Sequence, residues 1–247
     1  MFIDPTSLFE TAVTRPEAQA RQTDLLHTYQ EVIEESDRLG IGNIFLMGSL
    51  ASPVLRDYRP HDDVDFFIPD REQCQSLMHG LQNKGYTPSR PLVLRGSSLF
   101  YLSHPQTGIP VEIRYATPRD SATNGSVWKY VSPAWTIPIM PRPLIMPPSA
   151  LSQPQETRTW GGTPSRFVHD EYSLLIKSRS PYPKDQADAI RLSDQGLDEQ
   201  RIKRIMNEIS EAGGCLMLPP HLIHRVRRFK FWNLPDEDYR MLHGLAN

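Results

Sequence analysis

The feature that most constrains the fold is a short segment in which carboxylates lead directly into an apolar run. Three aspartates fall within residues 62–65, and the apolar residues 66–68 follow. Side chains of a β-strand alternate between its two faces. Asp63 and Asp65 therefore share one face, about 6.6 Å apart along the strand. Val64 and Phe66, on the opposite face, point to the core.

Two carboxylates on one face of a strand indicate a cation site. Held this close, Asp63 and Asp65 repel each other unless a cation lies between them. Hard oxygen ligands on a rigid strand suit Mg²⁺, which usually keeps some of its waters and shares the phosphates of a substrate. The alternative is a solvated strand edge with a polar face, because an Asp-x-Asp pair alone is common.

Two further features favour the cation site. Gly48 and Ser49 follow an apolar run at 43–47. Because Gly48 has no Cβ, a phosphate can approach the backbone N–H groups at this step closely, and the Ser49 hydroxyl can also contact it. Glu112 alternates with apolar residues in a strand predicted at 109–115. A third carboxylate on that strand would complete a two-metal phosphoryl-transfer site, in which one carboxyl also acts as a base.

Periodicity and turn residues predict the elements around this segment. A helix at 17–39 ends before Gly40, and a helix at 70–85 begins with Asp70 and Gln73 in a capping-box spacing. Strands are predicted at 43–47, 91–95, 98–103 and 109–115, the last two joined by a hairpin turn. Further helices are predicted at 149–160, 164–179, 184–194 and 198–213.

This order of elements predicts an α+β fold: a small mixed β-sheet flanked by helices and followed by a helical C-terminal half. We expect two domains, with the sheet in residues 1–145 and the helical part in residues 146–247. The net charge of −2 excludes a global basic field for nucleic acid.

The cysteines and the hydropathy of the sequence indicate the cellular compartment of the protein. Cys74 and Cys215 are far apart, without metal-type spacing, which favours free thiols in a reducing compartment. The N-terminal residues lack the basic region of a signal peptide. No apolar run approaches the roughly 20 residues of a membrane span. We therefore expect a cytoplasmic protein without a membrane partner.

These motifs resemble those of the nucleotidyltransferases of the DNA polymerase β superfamily. The matching residues are Gly48–Ser49, Asp63-x-Asp65 and a later strand with a third acid. The string Arg-Pro-His-Asp-Asp-Val-Asp at 59–65 is similar to that of aminoglycoside and lincosamide nucleotidyltransferases. A second block, 173–192, is similar to a helix–loop–helix in these enzymes and in related toxin-type transferases.

The resemblance implies Mg²⁺-dependent transfer of a nucleoside monophosphate from a nucleoside triphosphate, expected to be ATP, with release of pyrophosphate. It implies that Asp63, Asp65 and Glu112 are the catalytic and metal-binding carboxylates. The family usually has Asp as the third acid, so Glu156 and Asp120 stay open as alternatives to Glu112.

The resemblance also implies a set of residues near the triphosphate. In the second block, Lys177 would face the nucleotide, and Lys184, Asp185 and Asp188 would open the following helix near the site. Asp185 is also suited to be a plain N-cap. Arg59 is a candidate triphosphate contact, and His61 either binds phosphate or orients Asp63. The full nucleotide-binding set is Gly48, Ser49, Arg59, His61, Lys177, Lys184 and Asp188.

The sequence leaves two classes of molecule open as the acceptor of the nucleoside monophosphate. The match at 59–65 favours a small hydroxylated molecule, such as an aminoglycoside- or lincosamide-like antibiotic. The helical half and a basic, aromatic tail at 224–232 favour a toxin-type acceptor, a tRNA 3′ end or a protein. That tail is either an RNA-gripping surface or an amphipathic helix. A third possibility, a non-catalytic nucleotide-binding module, is opposed by the intact Gly-Ser and Asp-x-Asp pairs.

Overall fold

The structure is a computed structural model that describes residues 16–88, 99–115, 128–130, 144–179 and 183–211. The helices are α1 (Pro16–Arg38), α2 (Pro53–Arg56), α3 (Arg71–Asn83), α4 (Asp170–Arg179), α5 (Pro183–Ser193) and α6 (Glu199–Glu211). The strands are β1 (Phe45–Met47), β2 (Val64–Ile68), β3 (Thr87–Pro88), β4 (Leu99–Ser103), β5 (Pro110–Tyr115), β6 (Trp128–Tyr130), β7 (Leu144–Met146), β8 (Arg158–Trp160) and β9 (Thr163–Phe167). The strand predicted at 91–95, Asp120 and the basic–aromatic tail lie outside the described residues.

Within those residues, seven strands form one mixed sheet in the order β3-β4-β5-β2-β1-β9-β8. Its central strand β2 runs parallel to β5 and antiparallel to β1. β1 in turn runs parallel to β9. Strands β6 and β7 pair separately. The observed fold is α+β, as the sequence predicts.

The local signals around the sheet are confirmed. α1 ends before Gly40, whose φ of 69° is a conformation that favours glycine. α3 begins after Asp70, whose side chain accepts a hydrogen bond from the Gln73 N–H at 2.8 Å. β4 and β5 form the predicted antiparallel hairpin.

The helix predicted at 149–160 is wrong, and the helix predicted at 164–179 begins later than expected. Residues 158–160 and 163–167 form the hairpin β8–β9, and the helix predicted from residue 164 begins only at Asp170. Gly161 and Gly162, with φ of 57° and 84°, make the two-residue turn between the strands. The domain boundary at residue 145 stays a prediction, and the main sheet includes strands from both sides of it.

The sheet buries both of its faces. One face packs against α1 and α3 and contains Val64 and Phe66, in the core orientation that the alternation predicts. The other face packs against the C-terminal helices and contains Phe67. Asp65 shares this second face with Phe67. The carboxylates therefore lie at the border of a buried cluster rather than on an open polar surface.

Among the described residues, the helices include none with the length and apolar character needed to cross a membrane.

Candidate active site

Pairing of β2 with β5 brings two of the predicted carboxylates together. Asp65 stands opposite Glu112 in the parallel register of these strands, so both side chains project from the same face. Asp63 precedes β2 and is exposed, whereas Asp65 is half-buried. Asp65 and Glu112 are thus neighbours on two inner strands of the sheet, and Asp63 is near enough for its charge to act on Asp65.

The carboxylate of Asp65 stands in an unfavourable electrostatic setting for an anion. Burial, followed by the negative charge of Asp63, raises the pKa of Asp65 to about 7. The cations Arg114, Lys177 and Lys184 act in the opposite direction without cancelling the effect. A divalent cation between Asp63 and Asp65 would remove this repulsion.

The third carboxylate has its own counter-ion. Glu112 is buried and forms an ion pair with Arg114, two residues further along β5. Residues two apart on a strand share a face, so the Glu-x-Arg spacing in the sequence is a usable signal for this pair. Glu156, the alternative third acid, lies in the loop before β8. Its side chain contacts Gln153, His169 and Arg201.

The turn at Gly48 lies directly against the Asp65 carboxylate. Gly48 has φ 69° and ψ −157°, a combination that is essentially restricted to glycine. A Cβ atom at this position would overlap the Asp65 side chain. Gly48 therefore permits both the backbone conformation and the close approach of turn and carboxylate.

Ser49, the next residue of this turn, belongs to a hydrogen-bonded group of buried side chains. Its hydroxyl donates to the Asp188 Oδ2 at 2.9 Å. It accepts from Lys177 Nζ at 3.0 Å and from Arg59 Nη2 at 2.6 Å. One donated and two accepted hydrogen bonds saturate a hydroxyl, so the Ser49 side chain is held in one orientation.

Asp188 is the centre of this group and has an exposed fraction of 0%. Arg59 donates to it through Nε and Nη2, each at 2.8 Å, and Lys177 donates at 2.7 Å. Burial alone would raise the pKa of Asp188, but the hydrogen bonds from Arg59 and the charge of Lys177 lower it to about 2. Asp185 also pairs with Lys177, at 3.1 Å.

Two more of the predicted nucleotide-binding residues have contrasting environments. Lys184 is exposed at the start of α5. His61 is buried, and its Nε2 lies 3.0 Å from the Leu55 carbonyl and 3.2 Å from the Arg56 carbonyl. Burial, followed by the charge of Arg59, lowers the pKa of His61 to about 4. His61 is therefore neutral at physiological pH.

A second group of possible metal ligands, which the sequence did not reveal, consists of His27, Glu31 and His104. One ligand atom from each lies within 4.8 Å of the others. His104 Nδ1 accepts hydrogen bonds from the backbone N–H groups of Gln106 and Thr107 at 3.2 and 3.1 Å. The neutral ring therefore carries its proton on Nε2, which donates to Glu31 at 2.9 Å. That nitrogen has no lone pair to offer, so the group does not fit a metal.

Comparison with known proteins gives structural similarities only. No family model matches the chain, and no curated protein matches it. Among solved structures, the nucleotidyltransferase toxin MenT4 from Mycobacterium tuberculosis H37Rv is similar with a TM-score of 0.48 and 14% identity, over 98% of this chain and 94% of that one. An antigenic nucleotidyltransferase-like protein from Paracoccidioides brasiliensis is similar with a TM-score of 0.40 and 14% identity, over 83% of this chain and 91% of that one.

Both TM-scores lie below 0.5, so the function is inferred from the residues of the site alone.

Proposed function

We propose that this chain is a Mg²⁺-dependent nucleotidyltransferase that uses ATP. It transfers a nucleoside monophosphate to a hydroxyl group and releases pyrophosphate. One observation carries the proposal: Gly48 and Ser49 stand between a group of carboxylates and a group of buried cations. Gly48 lies against Asp65, and the Ser49 hydroxyl contacts Lys177. A metal–triphosphate complex needs both kinds of group side by side.

The carboxylates fit a divalent cation. Asp63 and Asp65 would supply hard oxygen atoms, and a bound cation would offset both the burial and the repulsion by Asp63 that raise the pKa of Asp65. Glu112 would be the third ligand of the set. Bound Mg²⁺ would neutralise charge on the triphosphate and favour ionisation of the acceptor hydroxyl.

The cations are assigned to the triphosphate and to the order of the site. The exposed Lys184 binds phosphate oxygens, and Lys177 contributes its positive charge while its three N–H donors stay on Ser49, Asp185 and Asp188. Arg59 donates to Asp188, Ser49 and the Pro60 carbonyl, so its role is to hold the turn in place. Asp188 keeps Lys177 and Arg59 fixed before substrate arrives, and such preorganised charge needs no rearrangement during the reaction.

The transfer is an in-line displacement at the α-phosphorus. The acceptor oxygen forms a bond to the α-phosphorus, while the bond from this phosphorus to the bridging oxygen breaks and pyrophosphate leaves. Glu112 accepts the proton of the acceptor hydroxyl. Its ion pair with Arg114 balances the carboxylate charge inside the protein. Positioning and charge neutralisation supply the rate enhancement.

Labelling with ATP carrying the radioactive phosphate at either the α or the γ position tests this proposal. Incubated with Mg²⁺ and a cell extract, the protein should transfer label from α-labelled ATP and none from γ-labelled ATP. Transfer from the γ position would instead indicate a kinase, and transfer from neither would contradict the proposed function.

The nature of the labelled product separates the acceptor classes. We propose a small hydroxylated molecule, such as an aminoglycoside- or lincosamide-like antibiotic, as the first acceptor to test. A product that is small and resists both RNase and protease supports it. A product destroyed by RNase indicates a tRNA, and one destroyed by protease indicates a protein, as expected for the toxin-type alternative.

A further inference from the structure

The loop between α2 and β2 controls the position of Asp63. Asp65 belongs to β2 and is fixed by the strand ladders on both sides. Asp63 lies one residue before the strand, outside these ladders, and its side chain is exposed. The distance between the two carboxylates therefore depends on how the preceding loop is held.

This loop is tied to the protein core by His61. The His61 side chain is only 5% exposed. Its Nε2 contacts two backbone carbonyl oxygens, those of Leu55 and Arg56 at the end of α2. Carbonyl oxygens only accept hydrogen bonds, so Nε2 carries a proton and donates it to both. This nitrogen is thus fully engaged within the protein.

A second contact holds the same loop. Arg21 of α1 donates from Nη2 to the Asp62 carbonyl at 3.0 Å. His61 and Asp62 are the two residues before Asp63, so both backbone positions that lead into the carboxylate are anchored. His61 provides the buried anchor and Arg21 the one near solvent.

We infer that His61 is a positioning residue for the proposed metal site: its Nε2–H ties the loop to the last turn of α2 and fixes Asp63 beside Asp65. This inference rests on the proposed function and chooses between the two roles that the sequence leaves open for His61. It assigns no phosphate contact to the ring. Outer residues that orient metal ligands typically change metal affinity 10- to 100-fold when they are replaced.

Binding of Mn²⁺, followed by the electron paramagnetic resonance signal of the free ion, tests this role without any acceptor or turnover. Purified protein is titrated with Mn²⁺ in the absence of nucleotide, because a triphosphate itself chelates Mn²⁺. We expect His61→Leu to raise the dissociation constant about 10-fold. His61→Gln keeps an N–H donor near the position of Nε2 and should restore most of the affinity.

A matched control is His169→Leu, which also removes a buried imidazole. His169 contacts Glu156 and the ring of Phe167, and it does not belong to the loop that leads into Asp63. It should lower thermal stability while leaving the Mn²⁺ affinity unchanged. Replacing both Asp63 and Asp65 by Asn should abolish binding and thereby identify the site that is being titrated.

The outcomes separate the inference from the function on which it rests. If wild type binds Mn²⁺ and His61→Leu binds it equally well, His61 has no positioning role although the metal site stands. If wild type binds none, the proposed metal site fails and the inference fails with it. If His61→Leu does not fold, His61→Gln is compared with His61→Asn, whose shorter amide does not reach the carbonyls. Equal affinities of these two variants would then overturn the inference.

Discussion

Gly48 shows how much one residue decides in this site. Its φ and ψ fall in a region restricted to glycine, and any side chain there would meet the Asp65 carboxylate. The same residue that allows the turn therefore sets the distance between the turn and the carboxylates.

Replacing Gly48 by Ala should lower stability and abolish Mn²⁺ binding. The matched control is Gly40→Ala, because Gly40 has the same φ of 69° and, among the described residues beyond its chain neighbours, no atom lies within 4 Å of the position that a Cβ would take there. Backbone strain alone should lower the free energy of unfolding of the control by about 1–2 kcal/mol. Urea denaturation and Mn²⁺ titration measure both effects. Equal behaviour of the two variants would show that the contact with Asp65 does not matter.

Asp188→Asn should destabilise the fold by about 3 kcal/mol or more at pH 7, because it leaves the buried cations Arg59 and Lys177 without a full negative charge. The pKa of Asp188 is about 2 in the folded protein, below its ordinary 3.8. The stability from its ionised form is thus present above about pH 4 and is lost as the pH falls towards 2. Urea denaturation at pH 7 and pH 3 should show the difference between wild type and variant shrinking.

Asp185→Asn is the control for that experiment. Asp185 also contacts Lys177, but its side chain is partly exposed and lies at the start of α5. We expect a clearly smaller loss of stability. Losses of equal size would contradict the central role of Asp188.

The sequence predicts residues of the site where neighbouring positions carry the signal. Strand alternation predicts that Asp65 and the core residues Val64 and Phe66 lie on opposite faces, and a Gly-Ser step indicates the tight turn at Gly48. The bonds of Arg59 to Asp188 join residues 129 positions apart, so no local pattern reveals them. The partners of His61 are backbone carbonyls, which have no sequence signature at all.

At the scale of elements, one hairpin of the sheet is predicted from the sequence and another is not. Alternation and turn residues predict the β4–β5 hairpin, and the structure confirms it. The prediction of helix for the β8–β9 hairpin is wrong, although Gly161–Gly162 is a typical two-residue hairpin signal. The strands beside it have only three and five residues. Segments this short leave little periodicity to read.

Gly161→Ala should destabilise this hairpin more than Gly162→Ala. Both glycines have positive φ, so both variants bear backbone strain of about 1–2 kcal/mol. A Cβ at Gly161 would also come within 2.5 Å of the Leu26 side chain on α1, whereas the space at Gly162 is open. Overpacking of this kind typically adds about 1–3 kcal/mol. Thermal or urea denaturation measures the difference, and equal losses would contradict the packing of the hairpin against α1.

At the scale of the whole molecule, the sheet joins the early and late parts of the chain. The sequence correctly predicts an α+β fold, because this depends on the types of element present. It does not predict the strand order, because the parallel pairing of β1 with β9 connects residues far apart in the chain. The two faces of the sheet hold different clusters, and the second one brings α4 and α5, with Lys177 and Asp188, to the carboxylates.

Stability of the whole fold should therefore depend on pH and on Mg²⁺ through Asp65. Its pKa is about 7 in the folded protein, against an ordinary 3.8, so the folded state binds this proton more tightly than the unfolded state. Without metal, the free energy of unfolding should fall as the pH rises from about 4 to 7. Asp65→Asn does not titrate and should lack this component of the fall.

Added Mg²⁺ should restore stability above pH 7 in wild type, because a ligand that binds only the folded state stabilises it. Urea denaturation across this pH range, in EDTA and in Mg²⁺, measures both effects. Parallel curves for wild type and Asp65→Asn in both conditions would show that Asp65 is neither strained nor a metal ligand.

The central claim, that Asp63 and Asp65 perform nucleotidyl transfer, is tested most directly by labelling with α-labelled ATP. The comparison is between wild type, the double variant Asp63→Asn with Asp65→Asn, and the control Asp62→Asn. Asp62 is exposed, and the protein contacts its backbone carbonyl, which the substitution preserves. We predict that wild type and the Asp62 variant label the same acceptor and that the double variant labels nothing above background. Equal labelling by the double variant would contradict the account.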